Sequence, residues 1–167
     1  MYARYHPLKN HLILFEAISI ITKKFKNIHL FLAGNGINQE NLKLKKFLKS
    51  FNLENKTTLA GLLDEKDLIE AYSSSDLTIL TSKSESFPNV IGESMSCSTP
   101  CIAFDVGDCK RLIGNTGWVT ERNNSHELLK ALTNAIIFSK TKYKWGEIKK
   151  ECQLRITKLY SLSLIHI

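Results

Sequence analysis

Residues 84–100 read Ser-Glu-Ser-Phe-Pro-Asn-Val-Ile-Gly-Glu-Ser-Met-Ser-Cys-Ser-Thr-Pro and lie between two short apolar runs, 77–80 and 101–104. A strand should enter this stretch and another should leave it, with Pro88 and Asn89 marking the start of a helix between them. Glu85 and Glu93 stand eight positions apart. If Glu85 ends the loop and Glu93 lies just over one turn into the helix, both carboxylates face the crevice at the strand ends. Open α/β sheets bind their ligands there.

The same alternation continues on both sides of the stretch. Residues 1–4 read as the end of a strand, Pro7 as a turn, and Leu12, Phe15, Ile18 or Ser19, and Thr22 as one face of a helix ending near Phe25. The run 28–33 is strand-like and is closed by Gly34-Asn35-Gly36; the helix after it carries Leu44, Phe47, Leu48 and Phe51 on one side. Thr57 opens a short strand ended by Gly61. Asp64 then caps a helix whose first turn holds Glu65 and Asp67 and which turns Leu68, Ile69 and Tyr72 inward. Beyond residue 104 the pattern predicts a loop, a short helix to Ile113, a strand at 117–119 and two helices over 125–138 and 142–160. The strands are continuous apolar runs rather than alternating ones, as in a parallel sheet covered on both faces. The expected fold is α/β, a Rossmann-like doubly wound parallel sheet.

The composition suits one such domain: 167 residues, 43% hydrophobic, 23% charged. The formal charge is +7, with lysines concentrated in 43–49 and 140–150. These runs read first as solvated helix faces and second as attraction to an anionic membrane surface. No nucleic-acid module accompanies them. Cys97, Cys101, Cys109 and Cys152 lack metal-ligand spacing and read as small buried hydrophobes in a reducing compartment. With neither an apolar run of ~20 residues nor a signal-peptide h-region, the expected location is the cytoplasm, with peripheral contact to the inner face of the cell membrane. Residues 162–167, Leu-Ser-Leu-Ile-His-Ile, match one reading frame of a transposon-end sequencing adapter and are read as adapter read-through, leaving 1–161 as the domain.

The order Arg4, Lys9, Gly34-Asn35-Gly36, Gly61, Ser82-x-x-Glu85-x-Phe87-Pro88-Asn89-Val90-x-x-Glu93, Pro100, Asp105-Val106-Gly107 resembles the donor-binding half of family 4 glycosyltransferases. These are retaining enzymes built from two Rossmann-like domains, the GT-B architecture. Asp105 to Asp108 and Ile113-Gly114-Asn115-Thr116-Gly117 resemble a bacterial branch that builds surface polysaccharides. The resemblance implies a nucleotide diphosphate sugar as substrate, no metal or other cofactor, and a glycan or lipid-linked acceptor. It gives the pyrophosphate to Arg4 and Lys9, which also stabilise the departing diphosphate, and to the backbone N–H groups of Asn89 and Val90. Phe87 belongs to the same donor-binding turn. Glu93 takes the ribose hydroxyls and Glu85 the transferred sugar, where it stabilises charge at the anomeric carbon without acting as a nucleophile.

The chemistry agrees on independent grounds. A nucleotide diphosphate sugar needs cations and free N–H groups at its phosphates and carboxylates at its hydroxyls. Without the motif, Arg4 and Lys9 read as exposed cations, Glu93 as a surface helix residue, and Glu85 as a partner of Lys83. The chain departs from the family at Ser86 and Ala3, where glycine is usual, so Ser86 puts a side chain where backbone approaches the sugar. The acceptor-binding N-terminal domain is absent from this stretch, and the fragment alone is expected to be inactive. The other readings are a nucleotide-sugar epimerase of the same architecture and a non-catalytic binding domain.

Overall fold

The computed structural model describes residues 1–121 and 123–163, with side chains to residue 159. In chain order its elements are α1 (His11–Lys24), β1 (Leu30–Leu32), α2 (Leu42–Ser50), β2 (Thr57–Leu59), α3 (Glu65–Ser74) and β3 (Thr78–Leu80). They continue with α4 (Asn89–Ser96), β4 (Cys101–Phe104), α5 (Cys109–Ile113), β5 (Trp118–Thr120), α6 (Ser125–Ser139) and α7 (Lys142–Ser163). The predicted alternation is present and every strand pair is parallel. Of the six residues read as adapter, the first two continue α7 and the last four lie outside the described residues.

The strands form a two-stranded sheet, β1-β2, and a three-stranded sheet, β3-β4-β5, rather than one continuous ladder. Residues 1–3 run along the free side of β1, with a parallel bridge between Tyr2 and Ala33 and bonds from Ala3 N–H to the Ala33 carbonyl (2.8 Å) and from Ala33 N–H to that of Met1 (3.2 Å). So short an extended segment gives a bridge but no ladder.

The core is nevertheless shared between the sheets. Leu30 and Leu32 of β1 join Ile79, Ile102 and Phe104 of the other sheet in one cluster with α1, α2 and α6. The intervening residues point to the opposite face, Leu80, Cys101 and Ala103 toward α4, α5 and α7, and Tyr2 and Phe31 toward α3. Alternate residues of each apolar strand therefore feed opposite layers, as a doubly covered parallel sheet requires.

The helix faces are slightly rotated from the predicted ones. In α1 the buried set is His11, Leu14, Phe15, Ala17, Ile18, Ile21 and Thr22, so Phe15, Ile18 and Thr22 face inward as expected while Leu12 is 44% exposed; in α3 Tyr72 is buried while Ile69 is half exposed. Asp64 caps α3 as predicted, accepting from Asp67 N–H at 2.8 Å. Cys101, Cys109 and Cys152 are buried and Cys97 half-buried, all as free thiols. Among the described residues no helix is long and apolar enough to cross a membrane.

Candidate functional site

Because all strands are parallel, their C-terminal ends share one rim, and the motif residues sit on it. Arg4 follows the extended segment and Gly34 follows β1. Gly34 has φ +138, and a Cβ there would lie 2.5 Å from the Ala3 carbonyl carbon and oxygen, so only glycine lets the two crossing backbones touch. Beyond Arg4 the chain makes a 3-10 turn, Pro7–Lys9, and enters α1 through Asn10 in the left-handed region at φ 55.

Lys9 is held from behind by the strand that leads to the motif. The Thr81 hydroxyl, fully buried, donates to the Lys9 carbonyl at 2.9 Å, and Lys83 N–H donates to the Leu8 carbonyl at 2.8 Å. The Lys9 side chain turns to the Glu85 carboxylate, with Nζ and Oε1 2.5 Å apart and the side chains 22% and 14% exposed. The partner of Glu85 is thus Lys9 across the rim, not its sequence neighbour Lys83. Glu85 itself rests on the β4–α5 loop. Gly107, at φ +52, packs so closely that a Cβ would lie 2.2 Å from the Glu85 carbonyl oxygen and 2.9 Å from that of Ser86.

The helix α4 starts one residue later than the sequence suggests, with Pro88 at the N-cap and Asn89 at the first helical position. The two N–H groups expected to face an anion differ. That of Asn89 donates to the Phe87 carbonyl at 3.0 Å, whereas that of Val90 has no acceptor among the described residues. The helix is anchored by the buried Ser94 hydroxyl, which donates to the Thr99 carbonyl at 3.0 Å and pairs with the Thr78 hydroxyl at 2.7 Å.

Glu93 projects from the exposed side of α4, and its Oε2 accepts from the Tyr72 hydroxyl at 2.9 Å. Phe87 is 40% exposed beside the same helix end, and Ser86 is exposed. Arg4 is exposed and forms no ion pair among the described residues. The structure therefore joins Lys9 to Glu85 directly, and Glu93 to Tyr72 rather than to that pair. A separate open groove of about 690 Å³ runs between β5 and α6, and none of the motif residues lines it.

Three contributors escaped the sequence reading. Thr81, a polar residue ending an apolar strand, holds the Lys9 turn. Gly107 was visible as a turn glycine, but its contact with Glu85 joins residues far apart in the chain. Tyr72 reads as an inward helix residue, and the signal it carried was its hydroxyl, which a buried tyrosine must pair.

Comparison with known proteins bears on the fold and the family. Residues 1–151 match the family described as "Glycosyl transferases group 1". An uncharacterized glycosyltransferase of Methanocaldococcus jannaschii is 30% identical over 92% of this chain and 45% of its own. The crystal structure of a glycosyltransferase from Rickettsia africae superposes with a TM-score of 0.81 at 24% identity, covering 94% of this chain and 42% of its own. Anabaena HepE, solved in complex with UDP-glucose, superposes at 0.75 with 22% identity over 99% of this chain and 48% of its own. The chain thus spans under half the length of these relatives. With the motif on the rim of a parallel α/β fold and the family match running over most of the sequence, the chain belongs to the group 1 glycosyl transferases.

Proposed function

We propose that this chain is the donor-binding half of a retaining family 4 glycosyltransferase, which moves a sugar from a nucleotide diphosphate sugar to a glycan or lipid-linked acceptor. The observation that carries the reading is the Lys9–Glu85 pair, together with a helix start whose Val90 N–H has no acceptor among the described residues. A cation, a free amide at the positive end of a helix and two carboxylates are what a donor with anionic phosphates and a hydroxyl group at either end requires.

The diphosphate lies on Val90 N–H with Arg4 and Lys9, which offset the charge that builds on it as the glycosidic bond breaks. Two fixed cations do there what a divalent ion does in other transferases, so transfer proceeds without metal. Glu85 accepts from the sugar hydroxyls and stabilises positive charge at the anomeric carbon, while the acceptor hydroxyl attacks from the face the diphosphate leaves. Glu93 accepts from the ribose. In the free protein Lys9 is bound to Glu85, so a donor must draw Lys9 to its phosphate and free Glu85 for its sugar. In this architecture the acceptor is held by the other half. The work is cytoplasmic, with the lysine-rich faces resting on the inner leaflet.

Calorimetric titration of the chain with UDP, GDP and ADP and with the glucose conjugate of the best-bound one tests this. Lys9→Ala should weaken both ligands about tenfold or more, the size of a lost charge-assisted hydrogen bond. Glu85→Gln should tighten the bare diphosphate, because Lys9 loses its competitor, yet remove the extra affinity conferred by the sugar. Equal effects on both ligands from Glu85→Gln would take Glu85 away from the sugar. Turnover by the chain alone would refute the division of labour.

A further inference from the structure

We infer that Tyr72 is a positioning residue that holds one oxygen of Glu93 and turns the other toward the nucleotide, so that a helix outside the motif sets the discrimination between ribose and deoxyribose. This rests on the reading of Glu93 as the ribose acceptor. A glutamate on an exposed helix face ordinarily samples several rotamers, and fixing one loses side-chain entropy at the moment of binding. Here that loss has already been met in the free protein. The Tyr72 hydroxyl donates to Oε2 at 2.9 Å, and Oε1 makes no hydrogen bond among the described residues.

The donor is itself immobilised at three points. Tyr72 is 1% exposed, and the Tyr2 ring packs on it with centroids 4.2 Å apart at 49°. Tyr2 is tied in turn to Ser75 through its hydroxyl at 2.9 Å. The Tyr72 carbonyl accepts from the buried Thr99 hydroxyl at 2.7 Å, and Thr99 also receives Ser94 from α4. The helix bearing Tyr72 and the helix bearing Glu93 are therefore fastened to the same residue, which fixes the distance between phenol and carboxylate. Burial, and then the charge of Glu93 beside it, push the Tyr72 pKa far above the ordinary tyrosine value, so the hydroxyl remains a donor at any working pH. Glu93 then presents one oxygen to the sugar rather than the bidentate fork a free carboxylate would offer. A vicinal diol can still share that oxygen through its two lone pairs.

The test compares the best-bound of UDP, GDP and ADP with its 2′,3′-dideoxy form on the full chain. The wild type should favour the ribonucleotide about tenfold, and Glu93→Gln should bring the ratio near one. Tyr72→Phe should lower the ratio toward the Glu93→Gln value while leaving affinity for the dideoxy ligand within about twofold of wild type. Tyr2→Phe, which keeps the ring packed on Tyr72 and removes a hydroxyl bonded to Ser75 rather than to Glu93, should leave the ratio unchanged. If Tyr72→Phe keeps the full ratio while Glu93→Gln loses it, the role of Tyr72 falls and the reading of Glu93 stands. An equal loss of both ligands in Tyr72→Phe, with a lowered melting temperature, makes the hydroxyl merely structural and also overturns the inference. If Glu93→Gln retains the wild-type ratio, or no nucleotide binds, both the reading and the inference fall.

Discussion

Single residues near the rim carry charge arrangements that pH will expose. His11, 4% exposed, opens α1 directly behind the Lys9 turn, between the rings of Tyr5 (5.3 Å) and Phe15 (6.2 Å), with Nε2 buried and unpaired among the described residues. Burial first, and then neighbouring positive charge that includes Lys9, lowers its pKa to about 4. The unfolded chain takes up this proton near the ordinary value of about 6.5, so it binds more protons than the native state between the two values. Stability should therefore fall as pH drops through that window, by about 2 kcal/mol between pH 6.5 and 5 at ~1.4 kcal/mol per unit. Urea denaturation at pH 7.5 and 5 should show a smaller loss for His11→Phe than for wild type. Parallel losses would mean that other groups govern the acid limb.

Between elements, the decisive contact is backbone on backbone. The loop from β4 to α5 supports the Glu85 carbonyl through Gly107, where any Cβ would overlap the peptide oxygen and the left-handed φ disfavours side chains. Gly107→Ala should destabilise the fold by about 1–3 kcal/mol and lower the melting temperature by several degrees. It should also shift Glu85 away from Lys9, so that affinity for the sugar nucleotide falls more than affinity for the bare diphosphate. An unchanged melting temperature would show that the loops separate freely. The mount of α4 belongs to this scale too, since Ser94, in the last turn of the helix, reaches both the start of β3 and the loop before β4.

At the scale of the whole molecule, the excess of charge is placed on outward helix faces. In α2, Lys43, Lys45, Lys46 and Lys49 are exposed, Leu42 is 77% exposed, and the helix contains no acidic residue. A basic face of this kind gains about 1 kcal/mol per lysine at an anionic surface and loses the attraction with salt. Sedimentation with vesicles containing about a third phosphatidylglycerol should carry the chain down at low ionic strength but not in about 0.5 M salt. Lys45→Glu with Lys46→Glu should abolish it. Equal sedimentation with neutral vesicles would contradict an electrostatic contact.

The alternation of elements was legible along the chain, because most strands are short apolar runs, the longer helices carry an apolar face, and α2, α3 and α6 have side-chain caps of their own, all of them local signals. The family was legible too, since the motif is nearly contiguous between residues 82 and 93. Partnerships were decided only by tertiary structure: Glu85 with Lys9 rather than Lys83, Glu93 with Tyr72, Gly107 beneath Glu85. Each joins segments brought together by strand order and by the shared direction of parallel strands. No periodicity or spacing along the chain encodes which side chains meet at the rim. That depends on how two covered sheets pack, and on where a hydroxyl or a carbonyl left unpaired by its own element finds its partner.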